Sequence, residues 1–453
     1  MFRCDGPIRA QIAAGGQFPA NSAALVVVGH DIGDSGEAHL GKLMWVWWGT
    51  RLRSDEVGQI LAWSGSRLSC MNADINSFRI QIPQVELDDL RDRLARTRLP
   101  FPVPGAGDRW DHGIAPDYLR ELAAYWADGF DWRAHEAELN TLPHFVTEIY
   151  GQRIHFLHLR SPEPDAIPLL LNHSYPTSFV EFLAASGPLT DPRAHGGDQA
   201  DAFHLVIPSL PGFVFSSPLS ARGWNLDQTA LAFGELMTRL GYDRFGVEGG
   251  DIGAGVTGRV AALLPERVIG AHIHGDRLQL GMVGEDLPVP DGLDAEELEQ
   301  LEAAQHSWAQ MKGYRVLQST EPNALSAGLA DSPILQLAWI AEKFVEWANP
   351  ETPISRENVL ITASLYWFTR TGPAAADFYW EMAHAENTGW GGPSPVPQGQ
   401  SLFYSDPLVR KVLGAGDSVA FFRDHPEGGH FPALEVPDLF VDDIRGFFRQ
   451  LRH

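Results

Sequence analysis

The pattern of apolar and polar positions changes character near residue 75. Residues 1–70 are rich in Gly, Ala and Ser, and their apolar positions follow no sustained period. Beyond them the chain reads as elements. Phe78-Arg-Ile-Gln-Ile alternates and predicts a strand. Leu87, Leu90, Leu94 and Leu99 recur like one helical face, and Pro100 and Pro102 stop that helix. Pro116 opens a second helix through Trp126, and residues 130–139 continue in helical spacing. Residues 75–144 therefore read as a helical arm.

Strands and helices then alternate. Short strands are predicted at 145–149 and 154–158, and fully apolar ones at 167–172 and 203–208. A strand at 244–248 leads through a Gly-rich turn into a helix at 254–264, and another strand covers 268–273. Apolar strands interleaved with helices predict a mostly parallel sheet covered on both faces, an α/β fold. Residues 278–392 break the rhythm with helices at 295–317, 333–347, 356–369 and 374–384. A helical insertion between late strands reads as a lid. Strands return at 400–404 and 419–422, followed by a last helix at 438–451. The expected division is thus 1–74, 75–144, 145–277, 278–392 and 393–453. The first segment is expected to lie outside the fold, as an extension or through a start assigned upstream of Met71.

Composition narrows the classes. The chain has 453 residues and 34 Lys+Arg against 58 Asp+Glu, a net charge of −24. Such a surface repels phosphate backbones, so nucleic acid is not an expected partner. Cys4 and Cys70 cannot build a disulfide framework or a cysteine-rich metal site. No apolar run nears the roughly 18 residues of a membrane span, and the first residues lack a signal-peptide pattern. A cytoplasmic setting is expected, and a homodimer is compatible with the chain. His135, His155 and His158 form no convincing metal set, so no metal is expected, and the resemblance set out below implies no organic cofactor.

Four segments carry chemistry. Glu248-Gly-Gly-Asp-Ile-Gly-Ala-Gly lies between a strand and a helix and has the form of a nucleophile elbow. Gly249 and Gly253 suit the tight turn, and Asp251 stands at the nucleophile position, where helix N–H groups favour an anion. A carboxylate there attacks saturated carbon and forms an alkyl ester. The plainer reading of Asp251 is a helix N-cap. Asn172-His-Ser-Tyr-Pro follows a central strand. This loop, with His173 and Pro176, would bring the N–H of Tyr175 beside that of Ile252 as an oxyanion site. His430, in Glu427-Gly-Gly-His-Phe, is the candidate general base. Asp406, past the penultimate strand, is the candidate acid, although it also reads as a helix cap before Pro407.

Together these segments make the chain resemble the microsomal-type epoxide hydrolases of the α/β-hydrolase fold, which carry an N-terminal arm. The resemblance runs from Phe78 to the C-terminus, about four-fifths of the chain. It rests on Phe78-Arg-Ile-Gln-Ile-Pro, Leu94-Ala-Arg-Thr-Arg-Leu-Pro, Leu139-Asn-Thr-Leu-Pro-His-Phe, Pro208-Ser-Leu-Pro-Gly-Phe, the elbow and Gly428-Gly-His-Phe. It implies conversion of an epoxide and water to a vicinal diol, with Asp251 as nucleophile, His430 as base and Asp406 as supporting acid. It also implies two lid tyrosines that protonate the epoxide oxygen, Tyr314 and Tyr379, with Tyr366 a rival for the second place. In two places the chain departs from the family pattern. Ser174 stands where the family's loop carries Gly, and Ile252 follows the nucleophile where Trp is usual, which implies a roomier aliphatic pocket wall. Esterase or dehalogenase activity, or ligand binding without turnover, are the competing readings. Trp308, Trp339, Trp347, Trp367, Phe368 and Trp380 suggest an apolar epoxide, although packing within the lid accounts for such residues equally well.

Overall fold

A computed structural model describes residues 74–101, 104–105, 107–388 and 394–452. It also describes a two-residue ladder of Arg9–Ala10 with Val28–Gly29, within a separate unit spanning Met1–Met71. The expectation for residues 1–70 otherwise lies outside the described residues.

Nine strands form one sheet: β1 Asn76–Phe78, β2 His144–Ile149, β3 Gln152–Leu159, β4 Ile167–Asn172, β5 Phe203–Pro208, β6 Phe245–Gly249, β7 Val268–Asp276, β8 Gln398–Phe403 and β9 Phe421–Asp424. Their spatial order is β9-β8-β7-β6-β4-β5-β3-β2-β1. The six strands from β9 to β5 run parallel, and β3, β2 and β1 add antiparallel pairs. Leu169, Leu170 and Leu171 of β4 and Val247 of β6 are fully buried. Strands covered on both faces need such unbroken apolar runs.

The arm contributes α1 Gln84–Ala95, α2 Pro116–Asp128 and α3 Trp132–Leu139. As the leucine spacing predicts, α1 buries Leu87, Leu90 and Leu94. The strand predicted from Phe78 onward is ladder-paired only over Asn76–Phe78. Ile80 and Ile82 keep the alternating burial, but side chains replace the missing strand partner. Asn140 accepts from Ile80 N at 2.9 Å and donates to Ile80 O at 2.8 Å. Glu136 accepts from Ile82 N at 2.7 Å. The same polar groups that a sheet would satisfy are thus satisfied by α3 and its cap.

The core helices are α4 Leu183–Thr190, α5 Leu226–Arg239 and α6 Ile252–Leu263. The lid carries α7 Ala295–Met311, α8 Gly313–Thr320, α9 Pro322–Asp331, α10 Pro333–Trp347, α11 Arg356–Thr369 and α12 Thr371–Ala383. The single helix expected over 295–317 breaks at Lys312 into α7 and α8. The chain closes with α13 Pro407–Leu413, α14 Pro432–Glu435 and α15 Pro437–Arg449. Arm and lid are bonded to each other: Trp126 Nε1 donates to Ser364 Oγ at 2.9 Å, and Ile114 N donates to Glu342 Oε2 at 2.8 Å. Arg93 also donates to the Asp331 backbone oxygen at 2.7 Å. Among the described residues no single helix is long and apolar enough to cross a membrane.

Candidate active site

The turn between β6 and α6 places Asp251 at the C-terminal edge of the sheet. Its backbone is left-handed, with φ 50° and ψ −126°. A non-glycine residue held there stores strain that only the surrounding packing maintains. The two flanking glycines show why. A Cβ on Gly253 would lie 2.0 Å from Asn172 O, and one on Gly249 would lie 2.5 Å from the Gly253 backbone. No side chain fits at either position. Asn172 fastens the end of β4 to this turn, donating to Glu248 O at 3.2 Å and to Thr257 Oγ1 at 3.0 Å.

The loop after β4 completes the cradle. Tyr175 N donates to Asp251 Oδ1 at 3.1 Å, and the Ile252 N–H also points to this carboxylate. His173 is a structural member of the loop. It accepts from Leu210 N at Nε2 (3.0 Å), so Nδ1 carries the proton and donates to Ser174 O at 2.9 Å. Burial lowers its pKa to about 4, which keeps the ring neutral. Pro176 follows Tyr175 through a cis peptide. Ser174 leaves the cradle intact because buried Glu181 takes up its polar groups, accepting from Ser174 N at 2.8 Å and from its hydroxyl at 3.0 Å. Thr177 donates to the same carboxylate. Ile252 is fully buried in the core, and its side chain is not among the cavity walls, so it does not form the roomier wall expected of it.

His430 reaches Asp251 from the loop after β9. Its Nε2 lies 3.5 Å from Asp251 Oδ2. Its backbone N–H donates to Trp347 O at 3.2 Å, and the Trp347 ring stands edge-on to the imidazole at 5.0 Å. The other ring nitrogen corrects the expectation for the acid. His430 Nδ1 lies 2.8 Å from Asp276 Oδ2, at the end of β7. Asp406 is engaged elsewhere: it caps α13 by accepting from Val409 N at 2.9 Å, and it pairs with Arg277. The apolar pattern predicts a strand over 268–273 and leaves Asp276 outside it. The strand runs to Asp276, three residues further. An acidic residue closing the strand beside the elbow strand was the available signal.

The electrostatics follow from these contacts. Burial alone would raise the Asp251 pKa, but the His430 imidazole 3.5 Å away outweighs it, and the net shift is downward. Burial alone would lower the His430 pKa. Asp276 and Asp251 on either side prevail and raise it to about 10. At neutral pH the resting site therefore holds an imidazolium between two carboxylates.

Asp251, His430, Tyr314 and Tyr379 line one cavity of about 940 Å³. The rings of Tyr314 and Tyr379 meet edge to face at 6.1 Å, and Tyr314 stacks on Tyr175 at 6.0 Å. Burial first, and then neighbouring groups including Asp251, raise both lid phenols well above the usual tyrosine value, so both remain donors. Tyr366 is not in the cavity. It donates to Thr177 O at 3.0 Å and packs on Phe213. Of the lid aromatics, Trp308 and Trp347 line the cavity. Trp339 donates to the Tyr175 hydroxyl at 2.9 Å. Trp367 lies under Arg93, Phe368 packs on Trp132, and Trp380 stacks on His384. Among the described residues, no three His, Cys, Asp or Glu side chains converge as metal ligands.

Residues 75–182 match the family model described as "Epoxide hydrolase N terminus". A protein of Stigmatella aurantiaca is 41% identical over 385 residues, covering 83% of this chain and 86% of that protein. Epoxide hydrolase 1 of Sus scrofa is 32% identical over 418 residues, covering 84% and 90%. The solved structure of Aspergillus niger epoxide hydrolase is similar at a TM-score of 0.73 and 33% identity, covering 85% of this chain and 98% of that one.

Proposed function

The chain belongs to the epoxide hydrolases of the α/β-hydrolase fold, which convert an epoxide and water to a diol, and from that premise we propose how its own residues divide the work. Tyr314 and Tyr379 hydrogen-bond the epoxide oxygen. Asp251 attacks a ring carbon through Oδ2, the carbon–oxygen bond breaks, and a phenol protonates the departing alkoxide. The protonated His430 restores that phenol. The product is a hydroxyalkyl ester of Asp251 beside a neutral His430 imidazole.

This last change sets up the second half. Ester formation removes the Asp251 charge, one of the two that hold the His430 pKa high. The imidazole becomes a usable base at the moment a base is needed. His430 Nε2 takes a proton from water, and the oxygen of that water adds to the carboxyl carbon of Asp251. The N–H groups of Tyr175 and Ile252 hold the oxyanion. Asp276, on Nδ1, keeps Nε2 free to accept and stabilises the imidazolium. Collapse breaks the ester carbon–oxygen bond, the new carboxylic acid of Asp251 gives its proton to the departing alkoxide, and the diol leaves an aspartate–imidazolium pair, so the proton count closes over one turnover.

The observation that carries the reading is Asp251 held by Tyr175 N and facing His430 Nε2 in a cavity that also contains two phenols. The test is diol formation from an apolar epoxide by the purified full chain. Asp251→Ala should leave the far-ultraviolet circular dichroism spectrum unchanged and abolish turnover. Normal steady-state diol formation by that variant would end the proposal.

A further inference from the structure

The loop that carries Tyr175 is gripped from behind by a carboxylate that does not line the cavity. Glu181 lies on the short helical turn Phe179–Phe182 and is fully buried. It accepts from Ser174 N at 2.8 Å and from the Ser174 hydroxyl at 3.0 Å, and the Thr177 hydroxyl donates to it as well. Ser174 and Thr177 stand on either side of Tyr175-Pro176. One side chain thus spans the residue whose N–H meets Asp251 Oδ1 at 3.1 Å. The aim of that N–H is set by Ser174, because Ser174 O and Tyr175 N share one rigid peptide plane. His173 Nδ1 holds this oxygen at 2.9 Å, and Glu181 holds the other end of the residue. The lid reaches only the Tyr175 hydroxyl, through Gln318 and Trp339, and Thr177 O, through Tyr366. Ser174 is left to Glu181 and His173.

We propose that Glu181 is a positioning residue for ester hydrolysis: it fixes Ser174 and Thr177 so that the Tyr175 N–H stays aimed at Asp251 Oδ1, where the oxyanion of the second step gathers. The inference rests on the proposed epoxide chemistry and adds to it a residue outside the cavity that governs one half-reaction. The two halves need the Tyr175 donor unequally. Attack through Oδ2 drains charge from the carboxylate, so the bond to Oδ1 weakens on the way to the ester and gives that step no help. Addition of water returns a full charge to Oδ1, and the same bond strengthens. Only an interaction that strengthens toward the transition state accelerates a step. Loosening the loop therefore slows hydrolysis and spares ester formation, a split that a general loss of packing does not produce.

The test uses the purified full chain with styrene oxide and 1,2-epoxyhexane, mixed in single turnover and followed by intact-protein mass. Growth of the adduct reads ester formation, and its decay reads hydrolysis. Glu181→Leu offers Ser174 N no acceptor. It should slow decay about tenfold to a hundredfold, less than the loss of a whole oxyanion donor, and keep growth within about threefold of wild type. Glu181→Gln keeps an acceptor for Ser174 N and should recover most of the decay rate. Should Glu181→Leu not fold, Ser174→Ala with Thr177→Val removes both hydroxyl donors and should slow decay about threefold or more, again without slowing growth. Decay at the wild-type rate in whichever variant folds, or growth and decay slowed by one factor, would overturn the positioning role while sparing the epoxide chemistry. Glu181→Gln as slow as Glu181→Leu would overturn it as well. A wild type that gives neither adduct nor diol would remove the chemistry and the positioning role together.

Discussion

Replacing Asp276 by Asn separates the two half-reactions. The side chain keeps its size and can still accept from Leu278 N, as Asp276 Oδ1 does at 2.6 Å. What changes is the 2.8 Å contact with His430 Nδ1. An amide placed there can donate its N–H to Nδ1, which leaves the proton on Nε2, the nitrogen that must accept from water. An aspartate-to-asparagine change of this kind, with geometry preserved and the tautomer wrong, costs up to about ten-thousandfold in kcat in serine proteases. A loss of about a thousandfold or more is expected here, confined to release of the ester, because Asp251 needs no base to attack the epoxide. Rapid mixing with excess substrate should therefore give a burst of covalent enzyme, visible as an added substrate mass, followed by very slow diol release. Asp406→Ala is the matched control. It removes the cap on Val409 N and an ion pair with Arg277 that is about one-third exposed. It should cost about 1 kcal/mol of stability, read from urea unfolding, with kcat within a few-fold of wild type. The reverse pattern, an active Asp276→Asn enzyme and a crippled Asp406→Ala enzyme, would refute the assignment.

His430→Gln should form the ester and fail to release it, so intact-protein mass spectrometry should find the adduct as the major species. Tyr314→Phe and Tyr379→Phe should each lower kcat/KM about tenfold to a hundredfold, and the double variant should be nearly inactive, since general acid catalysis contributes about 10²–10⁴ in total. The folded-state pKa of His430, about 10, lies above its ordinary 6.5. Its contribution to stability is thus complete below pH 6.5 and is lost as pH rises through about 10. Asp251, shifted downward, contributes above the ordinary carboxylate range, and that contribution is lost in acid. Urea midpoints should therefore fall between pH 6.5 and 10 more steeply in the wild type than in His430→Gln, and equal slopes would contradict the paired-ion account.

Much of this was legible in the sequence where one local rule governs several residues at once. The parallel sheet followed from unbroken apolar runs such as Leu169-Leu-Leu, and the elbow from two glycines at fixed offsets from Asp251. Asp276 escaped because strand length is set by neighbours: β8 pairs β7 as far as Asp276, and nothing within residues 268–276 announces that partner. Asp406 illustrates the converse. Its place after the penultimate strand suits a supporting acid, but Arg277, the residue next to Asp276, draws its carboxylate away. Choosing Tyr379 over Tyr366 needed the direction of a helix face. Tyr366 lies on α11 and turns to Thr177, whereas Tyr379 lies on α12 and enters the cavity.

The bonds that run from the arm to the lid bear on how substrate enters. Trp126, Ile114 and Arg93 reach three separate helices above the site, α11, α10 and α9. A roof tied at three points resists hinging as one body. Each tie contributes about 1 kcal/mol, so the arm adds a small, distributed resistance to any opening of the lid.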